Sequence, residues 1–212
     1  MGLFLTQRRQ VVEACLTLAD HGYLAGIGGN VALRLDEAHF AVTPSAADYY
    51  RLGAEDICVL RLDTLEVVEG DLKPSVESGL HAAMLRFHRG ADASLHTHQP
   101  LASAVALIKR GIPLAEGDPM GTEAALVSYA PSGTGLLVHA LSRRLRPGRL
   151  AYVLRNHGVI CAAESLDAAI ASVARLEAAA ARLLAALIGR RPPTHPALAE
   201  LIGGALHTGR QP

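Results

Sequence analysis

Three histidines and one glutamate are the side chains in this sequence best suited to hold a divalent cation. His96 and His98 lie two residues apart in Ser94-Leu95-His96-Thr97-His98, a run with the two-residue period of a β-strand. On a strand both imidazoles project from one face and reach the same ion. His157 stands in Arg155-Asn156-His157-Gly158, a tight turn between two apolar runs, which puts a ligand at a strand end. Glu77 follows Lys73-Pro74-Ser75 near the start of a helix, where the partial positive charge of the helix terminus favours a carboxylate. Each also has an ordinary reading: paired histidines form surface or hydrogen-bonding pairs, and a first-turn glutamate stabilises its own helix. Together, three imidazoles and a carboxylate make a ligand set for zinc or a similar divalent ion.

The elements that must position these groups follow from apolar spacing and turn residues. A helix is predicted over Thr6–Asp20, closed by Gly22, and a loop through Gly26, Gly28 and Gly29 leads into a hairpin of Val31–Leu35 and Phe40–Thr43. A second strand pair comprises Ile57–Leu60 and Glu66–Val68. A helix over Val76–His88 feeds the strand Ser94–His98, and another helix covers Leu101–Ile108. A loop spans Gly111–Gly121 before a strand at Leu126–Tyr129, and Gly133-Thr134-Gly135 opens a helix to about Leu145. Strands Ala151–Leu154 and Gly158–Cys161 flank His157, and a long helix runs over Leu166–Ile188. Hairpins followed by alternating helices and strands predict a three-layer α/β/α fold around a mostly antiparallel or mixed sheet. The 212 residues are expected to form a single domain, with 192–212 a short C-terminal tail.

Composition narrows the function. Half the residues are hydrophobic and 19% are charged, the balance of a globular chain. Twenty basic residues against twenty acidic give zero net charge, so no global field draws the protein to nucleic acid or to an anionic membrane. Charges at Asp167, Arg175, Glu177 and Arg182 interrupt the long alanine-rich helix, which is therefore not expected to span a bilayer. Cys15, Cys58 and Cys161 are scattered in apolar surroundings without CxxC spacing, as reduced core thiols of a cytoplasmic protein would be.

Five motifs in order, Gly28-Gly29-Asn30-Val31, Val42-Thr43-Pro44-Ser45, Lys73-Pro74-Ser75-Val76-Glu77, Leu95-His96-Thr97-His98 and Arg155-Asn156-His157-Gly158, resemble the class II aldolase/adducin family over about residues 6 to 188. The resemblance implies one divalent metal per subunit on His96, His98 and His157, with Glu77 as a further ligand or as the acid/base residue. Zinc is the metal it points to, with manganese or cobalt as the other candidates. It also implies a phosphorylated sugar as substrate, carbohydrate metabolism as the setting, and a homotetramer of fourfold (C4) symmetry with sites near subunit contacts. Gly29 and Asn30 offer backbone N–H groups and an amide, and Ser45 and Ser75 offer hydroxyls. By resemblance they correspond to the family's phosphate-binding loops, although such residues also end strands as ordinary turn chemistry.

These implications predict a metal-dependent aldehyde-lyase that splits a ketose 1-phosphate of fuculose or 5-deoxypentulose type into dihydroxyacetone phosphate and an aldehyde. A metal-dependent decarboxylase of the same fold is the second reading, and a non-enzymatic adducin-like scaffold is the third. Relatives with epimerase activity typically carry Asp, and decarboxylases Lys, where Glu77 stands, while the dehydratases carry a His-Glu-containing insert after the paired histidines that is missing here. The chain also departs from the fuculose-phosphate pattern. Ala46 replaces a glycine and Val76 a serine, and no tyrosine follows Tyr152, which leaves the acid on the aldehyde side unassigned.

Overall fold

The computed structural model of the chain describes residues 2–24 and 28–190. Gly26 of the glycine loop and the 192–212 tail lie outside the described residues. The elements run α1 (Leu5–Asp20), β1 (Asn30–Arg34), β2 (His39–Val42), β3 (Cys58–Arg61), β4 (Val67–Glu69), α2 (Ser78–Phe87), β5 (Ala93–Thr97) and α3 (Pro100–Leu107). They continue with β6 (Ile112–Pro113), β7 (Glu123–Val127), α4 (Gly135–Ser142), β8 (Ala151–Leu154), β9 (Gly158–Ala163) and α5 (Leu166–Arg190).

All nine described strands lie in one sheet, in the order β4-β3-β2-β1-β5-β9-β8-β7-β6. Neighbours pair antiparallel except β7 and β8, which are parallel. The sheet is thus mixed and mostly antiparallel, as the alternation of hairpins and helices implies. Parallel pairing needs a crossover, and α4 supplies it between β7 and β8.

Helices cover both faces, because the strand residues alternate between two apolar cores. On one face Val31, Leu33, Leu95, Val153 and Val159 pack with Val11 and Leu18 of α1, Val105 of α3 and Val173 and Leu176 of α5. On the other, Leu80 and Met84 of α2 and Leu137 and Leu141 of α4 pack on Tyr152, Leu154 and Ile160. Towards β3 the same face buries Ala32, Phe40, Val42 and Leu60 under Ala82 and Leu85 of α2. Cys15, Cys58 and Cys161 are buried free thiols within these cores.

Local differences from the sequence reading have physical causes. The helix predicted from Val76 begins at Ser78, because Glu77 has φ −102° and ψ 11° and stands outside the helical turn. The strand expected at Leu126–Tyr129 is Glu123–Val127, its register fixed by pairing of Ala125 with Tyr152 and Val127 with Leu154. The expected loop after Gly111 contains β6, a two-residue edge strand pairing Ile112 with Ala124 and Pro113 with Glu123. Proline has no N–H for a second neighbour, which confines such a strand to an edge.

Candidate metal centre

β5 runs through the middle of the sheet between β1 and β9, and its residues divide by face. Leu95 enters the core beneath α1, α3 and α5, while Ser94 and His96 turn towards α2. The next residue on that side, His98, lies just past the strand end. His157 reaches the same place from the β8–β9 turn, where Asn156 takes φ +57° and the His157 N–H closes back on Leu154 O at 3.0 Å. Asparagine tolerates this left-handed conformation better than most residues. Gly158 follows because nothing larger fits. A Cβ there would lie 2.5 Å from Thr97 O and 2.7 Å from Cδ2 of His98.

The three histidines form a cluster in which one ring nitrogen from each lies within 4.8 Å of the other two. His98 Nε2 and His96 Nε2 are 2.9 Å apart. His96 Nδ1 lies 2.8 Å from Val159 O, and a carbonyl can only accept, so Nδ1 carries the proton and Nε2 presents a lone pair to the centre. Burial pushes the His96 and His98 imidazoles below their ordinary range, keeping them neutral and able to ligate. Nδ1 of His157 is buried with no hydrogen-bond partner.

Glu77 stands beside this cluster, with Oε2 3.3 Å from Nε2 of His96 and Oε1 3.3 Å from Nε2 of His157. It occupies the N-cap position of α2, yet its side chain makes no capping hydrogen bond. The helix-stabilising reading therefore does not describe it. Instead, Asn30 Nδ2 donates to Oε2 at 2.9 Å and Ser132 Oγ to Oε1 at 2.8 Å. Burial works against the Glu77 charge, but the Asn30 amide and the Ser132 hydroxyl both donate to it, and the carboxyl is held below its ordinary range.

This donor set fits a divalent ion: three imidazole nitrogens, one with its lone pair fixed by a backbone carbonyl, face a carboxylate kept anionic. His96, His98 and His157 would hold the ion, and Glu77 borders it.

The other predicted site residues are placed differently. Asn30 opposes His96 across the β1–β5 ladder, which explains its place in the centre, and its amide is already engaged with Glu77. Ser75 Oγ accepts the Glu77 backbone N–H at 3.2 Å, supporting the turn that aims the carboxylate. Ser45 lies alongside, where its N–H donates to Lys73 O at 2.8 Å and Pro44 bridges to Pro74. Gly29 has φ +86°, and a Cβ on it would come within 2.8 Å of His96 O, so its lack of a side chain lets β1 approach β5. Among the described residues no hydrogen bond joins the Ser45 hydroxyl to the four central residues.

Two participants escape a sequence reading. Ser132 reaches Glu77 across 55 residues of chain from a loop of turn-forming residues, and nothing local marks it. His81 lies one helical turn beyond Glu77, a spacing that puts both on one side of α2.

A mixed sheet between helix layers, with a ring of imidazoles and a carboxylate at its central strand ends, defines an α/β protein with a candidate metal site. The class II aldolase and adducin N-terminal domain family matches residues 9–184, and the chain belongs to that family. Class II aldolases use a divalent metal, typically zinc. The 5-deoxy-D-ribulose 1-phosphate aldolase of Bacillus thuringiensis is 29% identical over 178 residues, covering 82% of this chain and 83% of that protein. Methylthioribulose-1-phosphate dehydratase of Yersinia pestis is 28% identical over 176 residues, covering 74% and 78% of the respective chains. A solved L-fuculose 1-phosphate aldolase superposes with a TM-score of 0.79 at 26% identity, covering 94% of this chain and 95% of that one.

Proposed function

We propose that the protein is a divalent-metal-dependent aldehyde-lyase that cleaves a ketose 1-phosphate to dihydroxyacetone phosphate and an aldehyde, with zinc as its metal. The observation that carries this reading is the Glu77 carboxylate, held anionic by Asn30 and Ser132 and set 3.3 Å from two of three clustered imidazoles. A divalent ion bound by His96, His98 and His157 supplies Lewis acidity towards the carbonyl and hydroxyl oxygens of such a substrate.

The chain's own residues then handle the proton. In the synthetic direction Glu77 takes a proton from the hydroxymethyl carbon of dihydroxyacetone phosphate, that carbon adds to the aldehyde, and the aldehyde oxygen takes up a proton from solvent. In cleavage that hydroxyl gives its proton to solvent as the carbon–carbon bond breaks, the electron pair stays on the same carbon, and Glu77, protonated from solvent, delivers a proton there. Asn30 and Ser132 fix both carboxylate oxygens throughout. Gly29, Asn30, Ser45 and Ser75 form the phosphate-side loops in this reading. A C4 homotetramer and a cytoplasmic location belong to it as well; among the described residues no helix is long and apolar enough to cross a membrane.

The dehydratase relative motivates a second reading, loss of water from the same class of substrate, since elimination also begins with a proton moved at carbon beside a polarised carbonyl. One experiment separates the outcomes. Zinc-loaded protein is incubated with a panel of ketose 1-phosphates while dihydroxyacetone phosphate, dehydrated product and CO₂ are followed together. Dihydroxyacetone phosphate alone supports the lyase, dehydrated product supports the second reading, and CO₂ would move the assignment to a decarboxylase. A chain that binds no metal and turns over no ketose phosphate would point to a scaffold.

A further inference from the structure

Behind Glu77 a line of polar side chains runs into the interior of the protein. His81, on α2, is fully buried. Its Nδ1 lies 2.8 Å from Ser94 Oγ and its Nε2 2.6 Å from Asn30 Oδ1, and Asn30 Nδ2 in turn lies 2.9 Å from Oε2 of Glu77. Ser94 and His96 are alternate residues of β5, and Ala32 opposes Ser94 on β1, where its small side chain lies under α2. The metal cluster and this buried line therefore share one strand face.

We infer that His81 is a positioning residue, locking the Asn30 amide with its nitrogen turned towards Glu77. The polarity of the line follows from the Asn30 amide, whose NH₂ group donates to Oε2 of Glu77 at 2.9 Å. The Asn30 oxygen then faces His81, so Nε2 of His81 must carry the proton. Nδ1 is left bare and takes the Ser94 hydroxyl proton. Ser94, His81 and Asn30 thus each donate in the direction of Glu77. Burial also pushes the His81 imidazole down to about 4, which keeps a single ring proton on it at neutral pH.

The consequence for chemistry concerns the placing of the carboxylate. Without His81 an asparagine amide can flip, exchanging its donor for an acceptor at little cost. A flipped Asn30 would set its oxygen against Oε2 of Glu77, which would lose the bond that holds it. With the flip barred, Asn30 keeps its donor on Oε2 and the carboxylate stays aimed at the histidine cluster. The second amide hydrogen of Asn30 also stays on the donor side, available to an anionic substrate.

This inference rests on the reading of Glu77 as the proton-handling group, but its test does not require the substrate. Nitrogen-15 NMR of the zinc-loaded protein reads the tautomer of His81 and the side-chain NH₂ of Asn30. A proton on Nε2, a bare Nδ1 and a slowly exchanging Asn30 amide are expected. His81→Leu should keep its zinc, since all three ligand histidines remain, yet lose the Asn30 amide protection, and His81→Gln should restore it through its own N–H. In parallel, proton exchange at the hydroxymethyl carbon of dihydroxyacetone phosphate should slow by roughly 10- to 100-fold in His81→Leu and recover in His81→Gln. A proton on Nδ1 of His81 overturns the inference from the wild-type spectrum alone, even if the leucine variant fails to fold. An Asn30 amide unchanged in a folded His81→Leu protein also overturns it. Absence of wild-type exchange, with the predicted tautomer present, would count against the aldolase reading and leave the positioning role standing.

Discussion

Two buried glutamates at the starts of two helices behave in opposite ways. Glu77 occupies the N-cap of α2 but does not cap it. Glu177, from the middle of α5, reaches the start of α3 and accepts the N–H groups of Leu101 at 2.7 Å and Ala102 at 2.9 Å. Their acidities diverge accordingly. Burial pushes the Glu177 carboxyl up, and its two backbone donors only moderate the rise. For Glu77, two side-chain donors oppose the same burial and the carboxyl is held down. A carboxylate at a helix start is thus structural where backbone amides are its only partners. Where side chains from four other segments converge on it, the helix has given up its cap for a site.

The comparison breaks most severely at the histidines. His96→Ala, His98→Ala and His157→Ala should each lower zinc content and take turnover to background, because each removes a ligating nitrogen. Full zinc stoichiometry in any of the three, measured by elemental analysis, removes that residue from the ligand set.

Next in size is Glu77→Gln, which keeps the shape and removes the titrating proton. Zinc should remain while the rate of proton exchange on dihydroxyacetone phosphate falls by roughly 10²–10⁴-fold. Exchange at the wild-type rate in a zinc-replete variant would assign the proton to another group. Glu177→Ala should show the reverse pattern, with zinc and exchange kept and stability lowered by about 1–3 kcal/mol as two buried N–H groups lose their acceptor. Chemical denaturation measures this, and an unchanged midpoint would sink the capping role.

The smallest effect is a slope. The folded-state pKa of Glu177 is raised by burial above its ordinary value of 4.5, so its favourable contribution is complete below that value and is lost as pH rises through the folded value. Glu177→Gln lacks this dependence. The melting temperature of the wild type relative to the glutamine variant should therefore fall as pH climbs from about 4.5. A difference that is flat with pH would place the carboxylate in a solvated setting.

Much of this arrangement is legible in the sequence because its signals are local. The Ser94–His98 alternation puts two imidazoles together, and apolar spacing locates all five helices. What escapes is set at long range. The two residues of β6 carry too little pattern to read, Ser132 meets Glu77 only through the fold, and the bond from Asn30 to Glu77 depends on the pairing of β1 with β5. Glu77 itself misleads, since a first-turn glutamate ordinarily serves its own helix. His81 was readable as its partner one turn on, but only the register of β1 and β5 supplies Asn30 and Ser94 to complete the line.

The order of strands also governs when the centre can come into being. His96 and His98 are neighbours in the chain, but His157 joins them only when β5 pairs with β9, as in the contact of Leu95 with Cys161. Closing so long a loop is among the slower events in folding. A nascent or refolding chain therefore offers a metal ion only a two-pronged grip, weak and exchangeable, until the middle of the sheet has shut. Once it has, an ion held by the three histidines would bind the native state far better than the open one, and its concentration would become a term in the protein's stability. On the proposed ligand set, metal supply would act as a check that β5 and β9 have paired.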